Sequence, residues 1–369
     1  MLYSLWEDPQ GWLEGYHGRR GAALAQAGVY LNSVPRAHSA TTVILEMCNR
    51  MVDVGFPRVL RTSTQHPVIR KWITTNVIIL FMNILNSMYG QAIGDMLGEP
   101  VEGLTREEIA AKWHAITGFL HKPSITDDTV MTHLVVQSIC ENHTVGRHHI
   151  ARAFLQNRAR IPRMGPTTAY ALSKFADDPE FTPTTGTTDG AAMRAPAIAW
   201  LFHKDRVIQK TIEASLATHG TAVAIAGASA IACAVSSAIN GADAGTVIHT
   251  SIHGCEYISP SLASRIRESV SLASRMPLED VIDITGCGIE TEEAVPAVFA
   301  IIAGNQDFRE SVLAAVNLGG DADTIAGMVG AITGGMSHAI PREWVGACRG
   351  FVEAVIQESW RCVQEFRRH

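Results

Sequence analysis

The sequence predicts an all-α fold, and three observations carry that prediction. From about Thr75 onward, apolar residues recur every three or four positions in one segment after another, the spacing that lines one face of a helix. Runs of alternating Val, Ile, Thr and Tyr between tight turns, the mark of strands, are scarce. Several of the helical segments are rich in Ala, Gly and Ser, which lets helix backbones approach closely.

Residues 1–75 come first and differ in kind. They hold five acids against eight bases, a net +3, in a chain whose total charge is −6, so the rest carries −9. Pro9, Pro35, Pro57 and Pro67 interrupt them. Short helices at most are expected there, around Gly21–Tyr30 and Thr41–Val52. The segment therefore reads as an N-terminal extension, with residues 76–369 as the body. Trp6, Trp12, Tyr16 and Tyr30, with Arg19, Arg20 and Arg36, have the composition of interface anchors. The alternative is a strap packed on the acidic body.

The body then reads as helix after helix: Val77–Tyr89, Thr129–Cys140, Ile150–Leu155, Thr168–Phe175, Ala191–Phe202, Gly220–Ile239, Ala294–Ala303, Phe308–Asn317, Ile325–Ser337 and Trp344–Phe366. With shorter pieces this makes roughly a dozen. Val77–Met82 is apolar, but Asn83, Asn86, Gln91 and Asp95 follow too soon for a membrane span. Gly220–Ala242 has no charged residue and is long enough to span. Its Ala, Ser and Gly give little drive to insert, so a buried core helix is expected.

Composition excludes several classes. Hydrophobic residues at 47% and charged residues at 18% are incompatible with disorder. A pI near 6.2 gives no bulk attraction to polyanions. The seven cysteines are odd in number and widely spaced, with no CxxC, which argues against a disulfide framework and for a reducing, cytoplasmic setting. Glu7, Asp8 and Pro9 stand where a secretory leader would be apolar. His114, His121, His133, His143, His148 and His149 show no zinc-ligand spacing. Arg152, Arg158, Arg160 and Arg163 read as a solvated face. Gly327, Gly330, Gly334 and Gly335 follow no strand and so read as helix-packing positions.

Two short acidic clusters carry the chemistry. One is Thr126-Asp127-Asp128-Thr129; the other is Gly319-Gly320-Asp321-Ala322-Asp323-Thr324. Each joins hydroxyls and two carboxylates to the start of an apolar helix. Helix capping is one reading, since Asp and Thr at a helix N-terminus accept backbone N–H bonds and suit the dipole. A cap needs only one side chain, however, and a second carboxylate adds repulsion that a cation would offset. Hard divalent cations take such oxygen ligands. The Gly-Gly pair would let the backbone turn tightly and a ligand approach closely.

Five ordered motifs resemble the ADP-ribosylglycohydrolase family, which includes the dinitrogenase-reductase-activating glycohydrolases and jellyfish lens crystallins. The resemblance spans about Asn76–Ser337. Gly90–Gly103, with Gly94-Asp95, Gly98, Pro100 and Glu102, is similar to the family's first helix and turn. Thr126–Thr129 resembles its first metal motif, Asp189–Arg194 with Pro196 its G-A-x-M-R segment, Thr218-His219 its T-H pair, and Gly319–Gly327 its second metal motif.

That resemblance implies a compact multi-helix domain with a binuclear Mg²⁺ (or Mn²⁺) centre in a central cleft. It implies Thr126, Asp127, Asp128, Asp321, Asp323 and Thr324 as ligands, and Glu102 as an acid beside the metals. Gly190, Ala191, Ala192 and Met193 would line the pocket for ribose and phosphates, with His219 in contact with that region. Many relatives carry Asn before the Gly-Ala; this chain has Asp189, unfavourable beside a diphosphate unless it points away or meets a cation. The implied reaction is hydrolysis of ADP-ribose from a modified protein. Asp128, Glu102 and Asp323 are the catalytic candidates, Asp128 or Glu102 for proton transfer. Surplus carboxylate favours an arginine linkage. A catalytically silent, crystallin-like protein is the alternative. The extension suggests an immunity role against an ADP-ribosylating toxin. No nucleic acid or membrane partner is expected.

Overall fold

The computed structural model describes residues 67–305, 307–336 and 339–367, with side chains from residue 75. The short helices expected at Gly21–Tyr30 and Thr41–Val52, and the aromatic and arginine residues of the extension, lie outside the described residues. Among those described there are sixteen α-helices and no β-strand. Two isolated antiparallel bridges, Thr105 with Gly319 and Thr188 with Glu290, tie loops together.

In chain order the helices are α1 (Pro67–Gly98), α2 (Arg106–Trp113), α3 (Asp127–Asn142), α4 (Arg147–Gln156), α5 (Pro166–Asp177), α6 (Pro196–Leu201), α7 (Val207–Ser215) and α8 (Ala222–Ile239). Then follow α9 (Ala244–Glu256), α10 (Pro260–Ala273), α11 (Leu278–Thr285), α12 (Thr291–Gly304), α13 (Phe308–Leu318), α14 (Ala322–Gly335), α15 (Arg342–Ala347) and α16 (Phe351–Phe366).

Helix α1 is the axis of the body. Its 32 residues give it a length of about 48 Å. Glycines at Gly90, Gly94 and Gly98 form a stripe at four-residue spacing, and α14 lies on that stripe running the opposite way. Gly90 meets Gly330, Gly94 meets Ala326, Gly98 meets Ala322, and Gly334 meets Asn86. At each level an added Cβ would fall inside the radius of a facing backbone atom. The two helices therefore touch main chain to main chain, in steps of four residues.

The polar residues of α1 are the second half of this design. Asn83, Ser87, Gln91 and Asp95 also recur at four-residue spacing, and all are buried. Each is matched across the core. Asn83 Nδ2 donates to the Ile239 carbonyl at 3.0 Å and Ser87 Oγ to that of Ala331 at 2.7 Å. Trp200 Nε1 donates to Ser87 Oγ at 2.9 Å. Gln91 Nε2 donates to Thr132 Oγ1 at 2.8 Å and to the Met193 carbonyl at 2.9 Å. Buried polar groups require partners, so these bonds fix α1 against α3, α6, α8 and α14.

Helix α8 is the expected buried Ala-rich helix, its first turn capped by Thr221. It packs on α6, α7, α9 and α14. Both α1 (over Thr75–Val101) and α8 are long and apolar enough to cross a membrane; 67% and 78% of their apolar windows are buried inside this fold.

Several elements differ from the sequence expectation. Helices α2, α7, α9, α10 and α11 were not foreseen, because their apolar stripes are short. Capping signals were present: Thr105 and Glu108 form a reciprocal capping box at α2, Asp243 caps α9, and Ser259 with Pro260 opens α10. The expected helix Ala191–Phe202 is regular only over Pro196–Leu201. The expected Trp344–Phe366 is two helices, broken where Gly350 takes φ 97°.

The α1–α14 contact makes a prediction with opposed signs. Helix propensity alone would make Gly94→Ala stabilising by about 1 kcal/mol. The clash with the Ala326 carbonyl instead gives a loss of about 1–3 kcal/mol, the usual cost of overpacking. Denaturant unfolding of Gly94→Ala and Gly330→Ala should show reduced midpoints; a gain in either would refute the main-chain contact.

Candidate functional site

The register of α1 on α14 decides where the acids meet. Asp95, next to Gly94, faces the start of α14, and Asp323 lies beside Gly98. Asp95 then positions the first acidic cluster. Its carboxylate accepts from the Thr126 and Thr129 backbone N–H groups at 3.1 Å and from Thr129 Oγ1 at 2.5 Å. Within the cluster Thr126 caps α3 through the Asp128 N–H, and its hydroxyl donates to Asp128 Oδ2 at 3.1 Å. The capping reading is thus right for Thr126 and leaves Asp127 and Asp128 free of that task.

The second cluster is set by a backbone clasp. Gly319 and Gly320 take φ 74° and 67°, accessible to glycine at little cost. The Gly103 N–H donates to the Gly320 carbonyl, the Gly320 N–H to that of Leu104, and the Asp321 N–H to that of Cys287. The close approach made possible here is by the backbones of Leu104 and Cys287; no ligand is needed to explain these glycines. Asp321 occupies the N-cap position of α14 and makes no side-chain cap bond. Capping therefore does not account for it.

The four carboxylates expected as ligands come together with Glu102; Thr126 is tied to Asp128, and Thr324 follows Asp323 at the start of α14. Oxygens of Glu102, Asp321 and Asp323 lie within 4.8 Å of one another. Asp128 is surrounded by Asp323, Asp95, Asp127 and Asp321, and Asp127 by Asp323 and Glu102. Thr126, Asp128, Asp321, Asp323 and Thr324 are buried. Glu102 is the exposed member, with 38% of its side chain open.

Burial and mutual repulsion raise the affinity of these acids for protons. Burial first, then Asp323, pushes Asp95 up to about 8 and Asp127 up to about 7. Asp128, Asp189 and Asp321 are held well above the ordinary carboxylate range, chiefly by burial. Glu102 is raised by burial and Asp323 and pulled back by Arg163. Such a concentration of buried, like-charged oxygens fits a hard divalent cation, while the two helix N-termini beside it favour the ionised form of the carboxylates.

Three residues beyond the expected set belong to this region. Asp95 was visible in a motif, but its role depends on the packing of α1. Asp189 is buried in side-chain hydrogen-bond contact with Asp321. Arg163 is on the solvated face expected of it, and from there pairs with Glu102 at 2.6 Å and Glu99 at 2.9 Å, from a backbone at φ 48°. The positive φ of a non-glycine residue has no sequence signal that could have exposed it.

The expected pocket wall lies partly behind the surface. Gly190 is partly accessible, whereas Ala191, Ala192 and Met193 are buried, the Met193 carbonyl held by Gln91 and Thr132. His219 is fully buried. Its Nδ1 meets Thr218 Oγ1 at 2.8 Å and its Nε2 meets Thr188 Oγ1 at 2.9 Å. Burial, with Arg194 adding, lowers its pKa to about 3, so the ring is neutral. The ring packs directly beneath Gly190 and Gly186, where a Cβ would press on it. Arg194 donates to Thr218 Oγ1 at 2.6 Å and stacks over Phe154, a buried cation facing Asp127 and Asp128.

The sequence pattern of the ADP-ribosylglycohydrolase family matches residues 78–368. A protein of Archaeoglobus fulgidus is 32% identical over 70% of this chain and 89% of its own length. Escherichia coli YegU is 30% identical over 69% and 87%. The mouse ADP-ribosylhydrolase ARH3 is 27% identical over 65% and 78%. A solved ADP-ribosylglycohydrolase-related protein complex shares the fold, with a TM-score of 0.63 and 24% identity over 77% of this chain and 99% of that one.

The raised acid affinities predict a pH dependence. Free carboxylates titrate near pH 4. Above that, the unfolded chain holds fewer protons than the fold, so metal-free stability falls as pH rises, until Asp127 and Asp95 also ionise near 7 and 8. His133 and His219, held neutral by burial, act oppositely only below their ordinary 6.5. Melting in chelator should therefore fall between pH 6.5 and 8. Saturating Mg²⁺ should shrink that fall, because the cation displaces the protons. Identical pH profiles with and without Mg²⁺ would refute a cation site here.

Proposed function

The chain belongs to the ADP-ribosylglycohydrolase family, and from that premise we propose that it is a Mg²⁺-dependent hydrolase that removes ADP-ribose from modified proteins. The observation that carries the proposal is the convergence of Glu102, Asp127, Asp128, Asp321 and Asp323 at the starts of two packed helices. Thr126, Asp127, Asp128, Asp321, Asp323 and Thr324 would hold the cations, two Mg²⁺ or Mn²⁺ ions in this reading. When bound, they supply Lewis acidity that lowers the pKa of water and orients hydroxyls of the ribose.

The residues divide the remaining work by access. Glycoside hydrolysis needs one group to move a proton at the leaving atom or at water. Asp128 is buried and tied to Thr126, whereas Glu102 is at the rim with its acidity already weakened by burial and Asp323. Glu102 is therefore our choice for proton transfer, and Asp128 is kept for cation holding. Gly190 would approach the substrate, with His219 fixing its loop from below.

An arginine linkage is the finer reading. Glu102 at the rim, with the other carboxylates gathered behind it, suits a guanidinium leaving group. The intact set of acids favours an enzyme over a silent, crystallin-like protein. A toxin-immunity role rests on residues 1–75 alone; deleting residues 1–66 should then abolish partner binding and spare hydrolysis of small substrates.

Release of ADP-ribose from arginine-modified and serine-modified protein, with and without chelator, tests the reading. Hydrolysis that needs Mg²⁺ and is faster on arginine is expected; full activity in chelator would defeat the metal assignment, and a serine preference the linkage. Asp323→Ala should lose more than about 100-fold in rate, since even partners of metal ligands cost 10–100-fold. Glu102→Gln should lose about 10²–10⁴-fold in kcat, the usual worth of a general acid–base group. Arg163→Ala removes the cation that lowers the Glu102 pKa, so the pH–rate limb set by Glu102 should move to higher pH. An unmoved limb would separate Glu102 from proton transfer.

A further inference from the structure

We propose that Asp189 is a cation-holding residue of this site, acting with Asp321, and that it raises the affinity of the centre for divalent metal; the inference rests on the metal reading above. Asp189 is 5% exposed. Its side chain is in hydrogen-bond contact with Asp321 and lies near Asp128 and Asp323, so it belongs to the acidic cluster. Its Oδ2 has no hydrogen-bond partner.

The backbone at Asp189 fixes this aim. Its N–H donates to the Ile289 carbonyl at 3.0 Å, and its carbonyl accepts from the Ala192 and Met193 N–H groups at 2.6 and 3.0 Å. The bridge between Thr188 and Glu290 holds the preceding residue. The anchored main chain and the burial of the side chain together keep the carboxylate from solvent. Neither nearby cation is paired with Asp189: Arg194 donates to Thr218 through Nη2 and lies toward Asp127 and Asp128, its Nη1 having no hydrogen-bond partner, and Arg163 pairs with Glu99 and Glu102.

A buried anionic oxygen without a donor is costly, and a cation shared with Asp321 removes that cost. The amide that the family resemblance leads one to expect here would also bond Asp321 and would contribute no charge. Asp189 thus distinguishes this centre by one added carboxylate. The competing account is a proton shared between Asp189 and Asp321, with a purely structural role.

The test is a Mn²⁺ titration of the full chain followed by electron paramagnetic resonance, comparing wild type with Asp189→Asn, with folding checked by circular dichroism. Asp189→Asn is expected to fold and to bind Mn²⁺ at least about tenfold more weakly, the scale of lost metal-supporting carboxylates. Affinity equal to or tighter than wild type would overturn the proposal and favour the shared proton. If Asp189→Asn fails to fold, Asp189→Ser, neutral and smaller, carries the same expectation and the same refutation. A wild-type chain that binds no Mn²⁺ would overturn the metal reading itself, and this inference with it.

Discussion

The contact of α1 with α14, backbone against backbone, is the constraint on which the rest of the body depends. Glycine at three successive levels of α1 removes the side chains that normally hold helices 8–10 Å apart. With no side chain between them, the register of the two helices is set by main-chain shape. A shift by one residue would rotate Asn83, Ser87, Gln91 and Asp95 away from their partners and leave several buried polar groups unmatched. Close packing and hydrogen bonding therefore specify the same arrangement, and the fold has one register in which both are satisfied.

The same contact creates the site. Asp95 lies one residue beyond a glycine that meets α14, and Asp323 lies at the start of α14 against another. Asp95 then gathers the Thr126–Thr129 turn through its backbone N–H groups, so the start of α3 is brought to the start of α14. The acids repel each other in the metal-free fold, and the core holds them together against that repulsion. Stability contributed by packing far from the site is in this way used to keep a charged cluster concentrated and buried.

Around that cluster the polar residues sort by depth. Arg163 and Glu102 stand at the rim, where their mutual pairing leaves both open to solvent. Arg194, Thr218 and His219 form a buried chain that reaches Thr188 in the Gly186–Gly190 loop, with His219 neutral and using both ring nitrogens. These bonds tie the loop to the core beneath it. Met193 contributes through its carbonyl, as an anchor between α1 and α3.

Much of the fold and the site was legible in the sequence. Three- and four-residue spacing gave most of the long helices, the small residues of α8 and α14 gave close packing, and two Thr/Asp clusters marked the acids that meet. These are short-range signals, since side chains three and four apart share a helix face whatever the helix packs against. The sequence could not show that Asp95 grips the α3 turn, that Asp189 meets Asp321, or that Arg163 turns back to Glu102. Those pairings join residues distant along the chain and depend on one packing register. Nor could it show that His219 and Met193 are buried, because burial is a property of neighbours. Local spacing marked which acids stand at helix starts; the α1–α14 contact decided which of them face one another.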